Sequence, residues 1–275
     1  MITLPQYSEP LPQCEGPKLR PFRNPKPVIT FHRLLSDKDS EGHAHVFEAA
    51  IESTAYAVKL FRFYDIEEDR AGLVGKENDL VSDHLLHSHS DPFYNECRAY
   101  GRLEEKNLNG KIAVHCYGYI TVPAETEVQL KRKFQIEDWD RPGEEYDKPV
   151  SQRQPFRAIV KELILKDVPL TGKVADKILR DTKRMRRCGI YPGDVRPRNY
   201  KNGLLVDMSA ARTEPYYLFN IRSAKQVEKM KNRDLYMWEA MVEENKLETL
   251  LRAVRNEKYC ASLRPRKKKT TGSKE

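Results

Sequence analysis

The order in which two kinds of periodicity occur constrains this chain most. Runs of alternating, β-branched and aromatic residues fill the first part, at 28–34, 46–51, 55–61, 111–122 and 156–164. Such runs fit half-buried strands. In the fourth, Ile112, Val114, Cys116 and Ile120 share one face. Between these runs, Asp91-Pro92 opens a stretch of helical spacing with Phe93, Cys97 and Tyr100 on one side. Asp suits a helix N-cap and Pro the first helical position. Residues 70–90 show little periodicity and predict a loop or a ragged helix. From Val174 helical patterns take over. One runs to about Arg187, with Val174, Ile178 and Met185 on one stripe. Another runs from about Ser223 to Val254, where Leu247, Leu250, Leu251 and Val254 predict a core-facing stripe. Strands first and helices later predict an α+β chain in two parts.

The 275 residues suffice for one large domain or two small lobes. Residues 1–27 hold seven of the 17 prolines and predict an extended arm. Residues 28–165 form the strand-rich part, with a charged, exposed insertion expected at 123–154. Residues 166–258 form the helical part, and 259–275 a basic, disordered tail. The net charge of +8 is concentrated. Residues 263–275 carry +5 and residues 180–201 carry +6, so the remaining body is mildly acidic. The tail reads as a solubilising terminus, or as a contact for nuclear import or DNA phosphates. The basic run Arg180–Arg187 reads as a solvated helix face. Five scattered cysteines without a CxxC pair exclude a disulfide framework and a structural zinc site. No apolar run approaches the ~20 residues of a membrane span, and Met1–Pro12 lacks the basic start and apolar core of a secretory signal. The cytoplasm or nucleus is expected.

Chemistry concentrates at Gly193-Asp194-Val195-Arg196-Pro197-Arg198-Asn199, followed by Asp207 at the end of an apolar run. A carboxylate, an amide and a second carboxylate spaced D-x4-N-x7-D are what phosphoryl transfer from Mg-ATP requires. One Asp sits near the acceptor hydroxyl, while the Asn and the second Asp hold Mg2+. Upstream, Ala57-Val58-Lys59 is like a strand whose lysine neutralises phosphates, and Glu96 in the next helix can pair with it. Ala158-Ile159-Val160-Lys161-Glu162 would lead into a hinge whose backbone holds adenine.

These residues resemble a protein kinase. More narrowly, Tyr56–Lys59, Asn95–Leu103, Gly193–Tyr200 and Leu205–Ser209 are similar to the fungal kinetochore Sim4-complex subunit (Fta-type) family, a divergent kinase-like group. The resemblance implies a two-lobed protein-kinase-like fold with a reduced helical C-lobe. It implies ATP and Mg2+ as cofactors, with Asp194 and Arg196 catalytic. Lys59, Glu96, Glu162 and Gly42 would serve the nucleotide, and Asn199 and Asp207 the metal. As alternative it implies a pseudokinase scaffold among kinetochore subunits, in the nucleus.

Departures from the pattern feed that alternative. Counting back from Val46 puts Asp39, Glu41 and Ala44 where a phosphate-covering loop has glycines, with Gly42 nearby. Carboxylates there would repel phosphates. D-F-G becomes Asp207-Met208-Ser209, and no A-P-E follows. Other residues are given plain readings. Asp234 is taken for an exposed helical acid rather than a buried anchor for the 193–199 backbone. His84, His87 and His89 are taken for a polar loop rather than metal ligands. Cys188 is assigned to packing.

Overall fold

The computed structural model describes residues 11, 14–24, 27–37, 42–73, 75 and 77–254. The basic tail, about half of the proline-rich arm, Asp39 and Glu41 lie outside them.

Three strands come first: β1 (Ile29–Leu34), β2 (Ala44–Ile51) and β3 (Thr54–Phe61). Three short helices follow, α1 (Glu67–Ala71), α2 (Glu77–Leu80) and α3 (Asp83–Ser90). They replace the expected loop. They are too short to show a helical period, and α3 starts where Ser82 accepts the Leu85 amide. Helix α4 (Pro92–Glu105) starts where expected, its N-cap Asp91 accepting from the Phe93 amide. Strand β4 (Cys116–Val122) is shorter than its pattern. Ile112 and Val114 are buried in irregular chain, where the Val114 amide donates to the Leu205 carbonyl. Then come α5 (Thr126–Phe134), α6 (Gly143–Tyr146) and β5 (Phe156–Lys161).

The sheet is antiparallel, in the order β1-β2-β3-β5-β4. Alternation sorts its side chains to two faces. On the outer face Phe47, Tyr56, Val58, Leu60, Phe156 and Val160 join one apolar cluster. Segment 123–154 has a largely exposed surface, but it is packed on the sheet: Leu130, Ile136 and Trp139 complete that cluster. Its surface charges mask an apolar set too widely spaced to read as one face.

The inner face carries Phe61 and Ile159 into a second cluster. Helix α7 (Gly172–Arg187) and, near the end of the described chain, α9 (Ala224–Glu244) add Ile178, Leu179, Trp238 and Met241 to it. Between them lie β6 (Ile190–Tyr191), β7 (Tyr200–Lys201), β8 (Leu204–Leu205), β9 (Arg212–Thr213) and α8 (Tyr217–Ile221). Helix α9 ends well before Val254. Leu250, expected in the core, is 95% exposed, while Leu247 and Leu251 pack from irregular chain. The chain is thus mixed α/β around a five-stranded antiparallel sheet. Among the described residues no helix is long and apolar enough to cross a membrane.

Candidate functional site

Strand alternation places Lys59 on the inner face, between the outward Val58 and Leu60. Lys161 shares that face by the same rule on β5. The register pairs Lys59 with Ile159 and Ala57 with Lys161, so the two lysines are diagonal neighbours. Opposite them, α4 presents Phe93, Cys97, Tyr100 and Leu103 at helical spacing, with Glu96 inside this buried stripe.

Glu96 is fully buried and has both carboxylate oxygens engaged. Oε2 accepts from Lys59 Nζ at 2.8 Å, and Oε1 accepts from Lys161 Nζ. Lys59 Nζ also donates to Asp207 Oδ1 at 2.8 Å, and Lys161 Nζ to the Val206 carbonyl at 2.8 Å. Two lysines thus balance two acids, with Lys59, Lys161 and Glu96 buried and Asp207 partly open to solvent. Burial pushes the Lys59 ammonium down, but the charges of Asp207 and Glu96 prevail and hold it above its usual value. Burial pushes Asp207 up; the charges of Lys59 and Lys161 outweigh it and hold Asp207 well below the usual carboxylate range.

The β7–β8 hairpin brings Asn199 and Asp207 to one end. Its turn is Asn202-Gly203, both with positive φ (53° and 70°), the geometry an Asn-Gly turn favours. The Val206 amide donates to the Asn199 carbonyl at 2.8 Å and closes that end. The Asn199 side-chain amide donates to Asp194 Oδ2 at 2.9 Å and to its carbonyl at 3.0 Å. Asp194 is also ion-paired with Arg196 at 2.9 Å and Arg198 at 3.5 Å. Five sequence-predicted polar residues therefore gather in two contacting sets, Lys59/Glu96/Asp207 and Asp194/Asn199, linked through the 199–206 backbone.

Two others fall away. Glu162 is exposed beyond the end of β5, and its amide is taken by the His115 carbonyl at 2.8 Å. Gly42 lies just before β2, and no hydrogen bond among the described residues joins it to the cluster. The reading of Asp234 is corrected: it is 1% exposed and accepts the Gly193 amide at 2.8 Å. Burial raises its carboxyl to about 6, against the pull of that hydrogen bond and of Arg186. Its helix is buried along this side, a context that its charged neighbours conceal. Gly193 itself must be glycine: φ is +79°, and a Cβ would lie 2.2 Å from the Ala210 carbonyl oxygen. Lys161 was missed; its position after three apolar residues on a strand, in phase with Lys59, was the available signal.

The histidine segment is helical, with His89 buried, and among the described residues no group of three or more His, Cys, Asp or Glu gathers for a metal. A cleft of about 590 Å3 opens beside Asp194, Arg196 and Ser209, while Lys59, Glu96 and Asp207 lie outside its walls.

Curated proteins give no sequence match to the chain. A sequence model of the family described as Kinetochore Sim4 complex subunit FTA2 matches residues 7–212, three quarters of the length and all five gathered residues. On that match the chain belongs to the Kinetochore Sim4 complex subunit FTA2 family.

Proposed function

We propose that this chain is a structural subunit of a kinetochore assembly, working in the nucleus with other Sim4-complex subunits and built on a protein-kinase-like scaffold. The family match across 7–212 carries this reading. The polar cluster serves it without catalysis, because buried lysines paired with Glu96 and with the partly exposed Asp207 favour one arrangement of sheet, helix and hairpin. A fluorescently tagged chain should concentrate at centromeres and co-purify with Sim4-complex subunits. A diffuse signal with no such partners would overturn the proposal.

A second reading, Mg-ATP binding with phosphoryl transfer, is favoured by one observation. Lys59 Nζ lies 2.8 Å from carboxylates that are 37 and 148 positions away in the chain. The side chains fit the ligand. Lys59 would hold phosphates with Glu96 behind it, and Asp207 and the amide oxygen of Asn199 would hold Mg2+. Asp194 would receive the acceptor proton, with Arg196 as the nearby cation. Binding has to exchange the Lys59–Asp207 contact for phosphate and metal. Mg-ATP should therefore raise the Tm of the wild type, and less so that of Lys59→Ala or Asp207→Ala. Equal shifts in all three would place any nucleotide elsewhere. Turnover unchanged by Asp194→Asn would leave the scaffold reading alone.

A further inference from the structure

The cleft beside Asp194 has walls of opposite charge. Arg196, Arg198, Arg212 and Arg233 line it from the 193–212 loop and α9. Two of them are neutralised within the chain by Asp194. Arg212 meets the ring and hydroxyl of Tyr216, and among the described residues neither Arg212 nor Arg233 has a carboxylate within 4.0 Å. From the segment after β3, Asp65 and Asp69 line the same cleft. Asp65 accepts the Glu67 amide and Asp69 the Tyr64 hydroxyl, and among the described residues neither is paired with a cation. The lining thus holds two guanidiniums and two carboxylates without an ion pair among the described residues, with the buried Asp234 carboxylate near both guanidiniums and the Arg62–Asp140 pair beside the aspartates.

His89 lines the cleft, is only 6% exposed, and has its Nδ1 without a hydrogen-bond partner. Burial and the nearby Arg98 keep its ring neutral, with a pKa of about 3. That nitrogen has no accessible surface, so His89 gives the cleft a neutral wall rather than a contact for the ligand.

Charge selects the ligand. Two free guanidiniums match a phosphate monoester, which carries about −1.5 to −2 at neutral pH and three acceptor oxygens. A lone carboxylate would leave one of them uncompensated. The opposing aspartates would repel a continuous phosphate chain such as DNA but would receive a cationic side chain. We propose that this cleft binds a phosphorylated peptide, with its phosphoserine or phosphothreonine on Arg212 and Arg233 and a flanking lysine or arginine on Asp65 and Asp69.

The proposal stands apart from nucleotide binding, and its test contains no ATP. The probe is a fluorescein-labelled nonapeptide with one central phosphoserine flanked by lysines, titrated with the full chain and read by anisotropy. The phosphorylated probe should bind at least about tenfold tighter than its unphosphorylated twin. Arg233→Gln, at an exposed position, should erode that preference, and Arg212→Gln with Arg233→Gln should abolish it while the far-UV circular dichroism of the folded chain is retained. Equal binding of the twin peptides overturns the proposal, as does full selectivity in the double variant. So does a duplex DNA probe that binds more tightly than the phosphopeptide and is lost in the same variant.

Discussion

Asp234 gives one carboxylate oxygen to the Gly193 amide and keeps the other, Oδ2, buried without a partner. Its pKa rises from 3.8 to about 6 because burial penalises the charge. Between those values the folded chain retains a proton that the unfolded chain has released. Stability therefore falls as pH rises through this window, by about 2–3 kcal/mol from this group. Asp207 acts with the opposite sign: its contribution is complete above its ordinary value of 3.8 and is lost only at lower pH. Asp234→Asn keeps an acceptor for Gly193 and removes the titration. Urea unfolding at about pH 4 and pH 7 should show a smaller difference for the variant than for the wild type; an unchanged difference would refute the assignment. Glu96 gives a sharper case. Glu96→Ala leaves the buried Lys161 ammonium without a carboxylate and Lys59 with Asp207 alone, and should cost about 3–5 kcal/mol, seen as a large drop in urea midpoint. Glu96 was legible from the chain because acid and lysine fell in a known order. Asp234 was not, since nothing near it in sequence announces that α9 turns this side to the 193 loop.

Helix α4 does more than carry Glu96. Its Arg98 donates to the Glu15 carbonyl at 2.8 Å and to the Thr213 and Pro215 carbonyls at 3.1 and 2.5 Å. Arg102 donates to the Glu214 carbonyl at 2.8 Å. Gly101 lets the chain at Lys18 cross the helix, since a Cβ there would stand 2.5 Å from a backbone carbon. Farther along, the Phe22 amide donates to the Tyr119 carbonyl at 2.8 Å, so residues 15–22 form a strap from α4 to β4. Gly101→Val should displace the strap. Limited proteolysis should then cut within 14–24 faster than in the wild type while far-UV circular dichroism is retained; unchanged cleavage would mean that the strap is not seated by α4. Arg98→Ala, leaving buried carbonyls open, should cost about 1–3 kcal/mol. The proline content of this arm predicted extension, which is compatible with the strap, but its docking depends on one glycine and one arginine about 80 residues away. The strands were legible because period two is a local property. The short helices at 67–90 and the end of β4 were not, because tertiary contacts rather than pattern terminate them.

At the scale of the molecule, the decisive feature is that the inner-face cluster draws Phe61, Cys116 and Ile159 from the sheet and Ile178, Met185, Trp238 and Met241 from α7 and α9. The outer-face cluster, by contrast, is closed by Trp139 from the segment after β4. A boundary near 165, natural from composition, runs through a shared core, so the strand-rich and helical parts should unfold together. The chain contains two tryptophans, one in each cluster. Trp139→Phe leaves Trp238 to report the helical side, and Trp238→Phe leaves Trp139 to report the outer face of the sheet. Trp238→Phe also gives up the bond from its indole N–H to the Ala175 carbonyl, 2.8 Å long, and should lose about 1–2 kcal/mol. Within each variant, the urea transition by fluorescence should coincide with that by far-UV circular dichroism, because the inner-face cluster is incomplete without residues from both parts and the sheet carries both clusters. Fluorescence midpoints that separate from the dichroism midpoint, in opposite directions in the two variants, would show two independent units and refute the shared core.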